Sequence, residues 1–290
     1  LVKTVGKKKD DRIGKEDPEF ERESELARRK LLQDAWVARN NLYLELFGEP
    51  SSVSPANYGP PVFKDDLGKA KKKNRLDSSD TSRPSDLSIE GDQQLAVLAY
   101  GPDPFKPYWS YVTAGISSPW VQSEAQEVSG FGCELMIKSP TNSAWAPQLL
   151  RTMAFYIFNH AGTLSPGKRI NLGAPIAPNS DSQLRSAIIW YADEAPDAWY
   201  QLPSGGFGLF LAVGVTEAEC AFADSTENYG TWCIEQLLRR KGHGQVTNPE
   251  RSDMMSESDT PAMLETIKQF ADTFRQFDVE ADEMASQDEQ

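Results

Sequence analysis

Residues 129–138 read SGFGCELMIK, and the order of these ten residues defines a strand with two dissimilar faces. Phe131, Cys133, Leu135 and Ile137 share one face at the two-residue period of an extended chain; Gly132, Glu134, Met136 and Lys138 share the other. Glycine weakens a strand unless a bulge or a close backbone approach requires it. Gly130 and Gly132 therefore predict a tight turn into the strand that lets neighbouring backbone come near. The apolar face predicts core. The face carrying Glu134 is expected to stay open, where the carboxylate can orient a partner or a neighbouring loop.

Reading outward, LAVLAY (95–100) and YWSYVTAG (108–115) predict strands joined by the turn GPDPFKP. After the central strand, WAPQLLRTMAFYIFN predicts a helix, with Pro147 in the first turn and Leu150, Met153, Ala154, Ile157 and Phe158 at helical spacing. A Gly-, Pro- and Asn-rich passage from 162 to 182 reads as a loop with a short strand at KRINL. RSAIIWYA (185–192) and FGLFLAVGV (207–215) predict further strands. Thr216 and Glu219 then form a capping box, Thr216 accepting from a free backbone amide and Glu219 reaching back to the cap. Helical patterns follow in CAFAD and TWCIEQLLRR.

The flanks differ in composition. Residues 1–23 are dense in both charges and read as a disordered tail. Residues 24–48 predict an N-terminal helix with Leu31, Ala35, Ala38 and Leu42 on one stripe, stopped by Gly48 and Pro50. Residues 49–94 read as a linker or insertion and 95–241 as the folded domain. Residues 242–290 form an acidic tail in which 261–277 make an amphipathic helix, with Thr260 as its cap and Met263, Ile267, Phe270, Phe274 and Phe277 along a stripe. That stripe packs back on the domain or serves a partner.

The 290 residues hold 43 acids against 30 bases, a net charge of −13. Residues 242–290 alone have 3 bases and 12 acids and so supply −9 of it. An acidic chain is a poor ligand for nucleic acid, and the basic runs KKK (7–9) and KAKKKNR (69–75) read as solvated linker charge. Cys133, Cys220 and Cys233 are odd in number and lack C-x-x-C spacing, which argues against a disulfide framework or structural zinc. No apolar run is long enough to span a bilayer and no signal-peptide core is visible, so a cytoplasmic protein is expected. The first residue is Leu1, consistent with a fragment, processing or an alternative start.

Catalytic patterns are sparse. His160 falls at a helix C-terminus and His243 in a glycine-flanked tail; neither has a nucleophile beside it in sequence. No phosphate loop, G-x-S-x-G or H-E-x-x-H occurs. Glu134, Glu217, Glu219 and Asp224 offer carboxylates without a fixed catalytic separation. No cofactor and no metal are expected. In place of catalytic groups the strands carry aromatic surface: Tyr108, Trp109, Tyr111, Trp120, Trp190, Tyr191, Trp199 and Tyr200, residue types enriched in interfaces as well as cores.

YWSYVTAGIS (108–117), SGFGCELMIK (129–138), WAPQLLRTMAFYIF (145–158) and FLAVGVTEAECAFADSTENYGTWCIEQLL (210–238), in that order, resemble the suppressor-of-fused domain family. The resemblance covers roughly residues 95–241. It implies an α/β (α+β) fold, a mixed and largely antiparallel sheet with helices packed on it. It also implies a domain that is not an enzyme and binds another protein. In animal members this domain works with a second one to clamp an extended peptide of a transcription factor, which adds as a strand. Carried onto this sequence, the resemblance implies partner contacts at Trp109, Tyr111, Gly115 and Ser117 in the first motif and at Gly130, Phe131, Gly132 and Glu134 in the second. Tyr111 and Glu134 are the peptide-facing pair.

The acidic segment after residue 241 is too sparse in apolar residues for a second domain, so a single-domain bacterial member is expected. Such relatives resemble immunity proteins that neutralise a toxin. The expected function is sequestration or inhibition of a protein partner, with no membrane. Two alternatives stand beside it: a hydrolase-like enzyme using a cleft with Glu134 and Tyr111, and a signalling scaffold that binds an extended peptide by strand addition.

Overall fold

In the computed structural model, residues 18–56, 95–160, 164–226, 229–271 and 273 are described. Helix α1 (Pro18–Phe47) is followed by strands β1 (Ser52–Ala56), β2 (Leu95–Tyr100), β3 (Trp109–Ala114) and β4 (Val128–Ser139). Helix α2 (Trp145–His160) comes next, then β5 (Arg169–Asn171), β6 (Leu184–Tyr191), β7 (Tyr200–Leu202) and β8 (Gly205–Thr216). Helices α3 (Glu217–Ser225) and α4 (Gly230–Arg240), a 3₁₀ turn at Met254–Ser256 and helix α5 (260–271) close the described chain. Residues 1–17 of the predicted tail 1–23, residues 57–94 of the predicted linker 49–94 with its basic run, and the chain from 274 on, including Phe274 and Phe277 of the predicted helix, lie outside the described residues.

The sheet runs β1-β2-β3-β4-β8-β6-β5, with β7 paired to β8. Every pairing is antiparallel except that of β4 with β8, which is parallel. Both central strands are twelve residues long, and β8 is buried throughout. A parallel pair in the middle of a sheet is covered on both faces. Cys133, Leu135 and Ile137 of β4 pack with Leu150, Ala154 and Ile157 of α2. Met136 of β4 and Leu209, Leu211 and Val213 of β8 belong to the opposite cluster, with α1 (Ala35, Tyr43), α3 (Ala223), α4 (Ile234, Leu237) and α5 (Leu264, Ile267).

This layering corrects the sequence reading of Glu134. Alternation separates two faces but does not say whether the second is solvated. Here α1 lies over it, and Glu134 is fully buried, as is the side chain of Lys138 on the same face. The alternative of a Glu134 and Tyr111 cleft fails for the same reason. Tyr111 pairs with Ile137 and lies in the α2-facing cluster, so the two groups are on opposite faces of the sheet.

Other differences are local. α1 begins at Pro18, within the stretch read as tail, because its charged residues are good helix formers. β1 occupies part of the stretch read as linker; it is an edge strand containing Pro55, and Pro is tolerated at a sheet edge. In α5, Leu264 and Ile267 bury against the α1 side of the sheet, while Phe270 is 54% exposed. The predicted capping box holds: Thr216 accepts from the Glu219 amide at 3.1 Å and Glu219 accepts from the Thr216 amide at 2.9 Å.

Candidate functional site

The turn leaving β3 is built around one carboxylate. Glu134 accepts from Thr113 Oγ1 at 2.6 Å, Gly115 N at 2.8 Å, Ser117 N at 3.0 Å and Ser117 Oγ at 2.7 Å, and Nη1 of Arg39 from α1 lies 3.5 Å away. Four of these contacts go to Oε1 and the Thr113 hydroxyl to Oε2, so both oxygens are engaged and the buried charge is compensated. Arg39 also donates to Ser118 Oγ, and Tyr43 of α1 donates to Thr113 O at 2.8 Å.

Against this turn lies the start of β4. Phe131 N donates to Ile116 O at 3.1 Å, and Ser129 Oγ donates to Ser117 O at 2.6 Å. Gly130 has φ +55, and a Cβ there would lie 2.3 Å from Ser118 O, so both its conformation and its neighbour exclude a side chain. Gly132, at φ +71, sits in the register shift between Val128 and Cys133. The close approach expected of these two glycines is present.

The structure thus brings Gly115, Ser117, Gly130 and Glu134 into one cluster, of which Gly130 alone is exposed. Phe131 is half-buried against Phe158 of α2, ring centroids 5.3 Å apart. Trp109 and Tyr111 lie apart from the cluster and stack on each other at 6.4 Å. Tyr111 is buried, donating to Asn142 Oδ1 and accepting from Ser143 N.

What the cluster supports is a surface beside it. Val121 is 79% exposed, Trp199 47% and Val128 38%. Gln122, next to Val121, fixes that loop to the start of β4 and to the turn before β8: its amide nitrogen donates to Val128 O at 3.0 Å and to Ser204 O at 3.2 Å, and its oxygen accepts from Gly130 N at 2.8 Å. A Cβ on Gly206 would fall 1.8 Å from the Trp199 indole nitrogen. One on Gly132 would meet Val128 at 2.8 Å and Trp199 at 3.9 Å. The indole therefore lies flat on glycine backbone with Val128 at its edge. Exposed carboxylates, Glu124, Glu127 and Asp197, flank the patch in the same loops.

The loop that carries Trp199 is held from behind. Lys138 Nζ, buried, lies 2.5 Å from Glu194 Oε2, and Tyr108 donates to the other carboxylate oxygen. Asp193 takes both Nη groups of Arg239, at 2.7 and 3.0 Å. Burial lowers the Lys138 pKa in spite of Glu194, so desolvation is the larger effect.

Sequence reasoning marked Trp199 only as one aromatic among several and passed over Val121 and Val128. Their signal is the glycine pair Gly132 and Gly206, which admits the indole. All three cysteines are buried, and burial pushes the Cys133 thiol up to about 12, far from a reactive thiolate. Among the described residues no group of three His, Cys, Asp or Glu side chains is placed to hold a metal. Nor is any described helix long and apolar enough to cross a membrane.

The family described as Suppressor of fused protein (SUFU) matches residues 91–252. Drosophila Suppressor of Fused aligns at 18% identity and a TM-score of 0.50 over 60% of this chain, which covers 46% of that protein's chain. At such identity the likeness concerns the fold. A chain of the Sufu-Fu complex aligns at 19% identity over 55% of this chain and 75% of its own, with a TM-score of 0.47. A putative Sufu homolog from Neisseria gonorrhoeae FA 1090 gives 15% identity, 78% and 97% coverage and a TM-score of 0.47. No protein with a curated description matches. The match over residues 91–252, more than half of the 290, places the chain: it belongs to the suppressor-of-fused family.

Proposed function

We propose that this chain is a cytoplasmic, non-enzymatic binding protein that sequesters a protein partner and inhibits it by covering its functional surface. The observation that supports this is the Val121, Val128 and Trp199 patch with its carboxylate rim. An exposed tryptophan seated on backbone is a rigid anchor of the kind that dominates interfaces. The partner segment that suits it is apolar and basic, since the rim repels acidic surfaces and the chain as a whole carries −13.

In this reading Glu134, Gly115, Ser117, Gly130 and Gly132 form the frame of the surface, and Phe131 and Trp109 stiffen its surroundings. The partner of first interest is a basic toxin neutralised by this chain as its immunity protein. The test is co-expression with candidate toxins encoded beside the gene. Rescue of growth by the native chain, lost with Trp199→Ala at equal soluble level, is the expected result; rescue by both chains equally removes the patch from the account.

A further inference from the structure

β4 and β8 are parallel neighbours, and the helices that follow them leave on opposite faces of the sheet: α2 packs against Cys133, Leu135 and Ile137, and α3 lies with Leu211 and Val213. Adjacent parallel strands with diverging helices leave a crevice outside their carboxyl ends, the general ligand position of open α/β sheets. At that position lies an open cleft of about 830 Å³. Sites for small molecules span roughly 300–1,000 Å³. The walls are the connection from β4 to α2, the loop before β6 and residues 248–252. The cleft is thus at the opposite end of β4 from Val128, and it owes nothing to the proposed partner surface.

Its chemistry narrows the ligand. The one basic lining residue, Arg251, is buried and already engaged: Nη1 donates to Glu219 Oε1 at 2.6 Å, and Nη2 donates to Glu219 Oε2 and to Gly214 O. No cation is left in the lining to hold a phosphate or carboxylate. Asp181 and Glu250, exposed at the cleft and without a paired cation among the described residues, repel anions. Thr141, Ser182, Gln183 and Asn248 add neutral hydroxyl and amide groups. Trp145, half-buried at the first position of α2, adds an aromatic ring.

We propose that this cleft binds a neutral, polyhydroxylated ligand, a carbohydrate. Paired hydroxyls of a sugar donate to the free carboxylates, each of which accepts at two oxygens, and its less polar ring face packs on the Trp145 indole.

Saturation-transfer NMR on the full chain tests it, with maltotriose, chitotriose and mannotriose as probes and spermidine and inorganic phosphate as the charged comparisons. At least one trisaccharide receives saturation from the native chain and from Trp199→Ala. The transfer is lost in the double variant Asp181→Asn, Glu250→Gln, whose exposed sites leave the urea midpoint unchanged, and is reduced in Trp145→Phe. The proposal is overturned if no trisaccharide responds at millimolar concentration, or if transfer survives in the double variant. Displacement of the sugar signal by spermidine or phosphate at lower concentration also overturns it, because the cleft is then a site for ions.

Discussion

Arg39 and Glu134 are 95 positions apart in sequence, yet their side chains meet at 3.5 Å with almost no exposure. This contact joins α1 to the middle of the sheet and holds the turn at 115–118 in place. Removing one partner of a buried pair leaves the other charged and unsolvated. Glu134→Ala is therefore expected to lower stability by about 3–5 kcal/mol, read as a fall in the urea midpoint. Replacing both by apolar residues, Arg39→Met with Glu134→Leu, recovers only the part due to the stranded Arg39 charge, because the amides of Gly115 and Ser117 stay buried and unpaired. A Glu134→Ala chain as stable as the native one contradicts the anchoring role.

Gly130 and Gly48 separate two causes of the same requirement. Both have positive φ, but a Cβ on Gly48 meets nothing within 4 Å, whereas one on Gly130 meets the Ser118 carbonyl at 2.3 Å. Gly48→Ala should cost about 1–2 kcal/mol from conformation alone. Gly130→Ala should cost clearly more, because backbone has to shift. Equal losses in denaturant titrations remove the close-approach explanation.

Trp199 and Gly206 predict function without stability. Trp199→Ala removes a side chain that is 47% exposed and should leave the unfolding midpoint close to native while partner binding falls at least about thirtyfold, the 2 kcal/mol or more of a central aromatic anchor. Gly206→Ala places a methyl where the indole nitrogen lies and should weaken binding by displacing the ring. Native-like binding by Gly206→Ala separates the indole position from recognition.

His243 sets a pH dependence. Its imidazole is held below the usual 6.5, first by partial burial and then by the nearby Arg251, with Glu219 and Glu257 acting the other way and Lys241 reinforcing the depression. The unfolded chain thus binds more protons between the depressed value and 6.5, so stability rises with pH across that window and falls on acidification through it. His243→Gln should flatten this portion of a stability profile measured from pH 5 to 8. An unchanged slope assigns the titration to another group.

Much of the fold was legible in SGFGCELMIK and its neighbours, because the two-residue period, the capping box at Thr216 and the helical stripe of α2 are local signals. The cover over Glu134 was not: whether a strand's second face is dry depends on α1, whose contact through Arg39 is set by tertiary packing. β1 and β7 were missed for a related reason, being short strands whose pairing partners, more than their own sequences, make them strands. Trp199 was visible as an aromatic residue, but its seat on Gly206 needed the bulged register of β4 against β8.

Site-specific photo-cross-linking in the native cell tests the central claim most directly. A benzoylphenylalanine placed at Val121, beside the Trp199 patch, is compared with one at Phe155 on the exposed side of α2. The account predicts one discrete protein adduct from position 121, absent from position 155 and abolished by Trp199→Ala in the same chain. Adducts of equal yield from both positions, or an adduct from 121 that persists without Trp199, would contradict it.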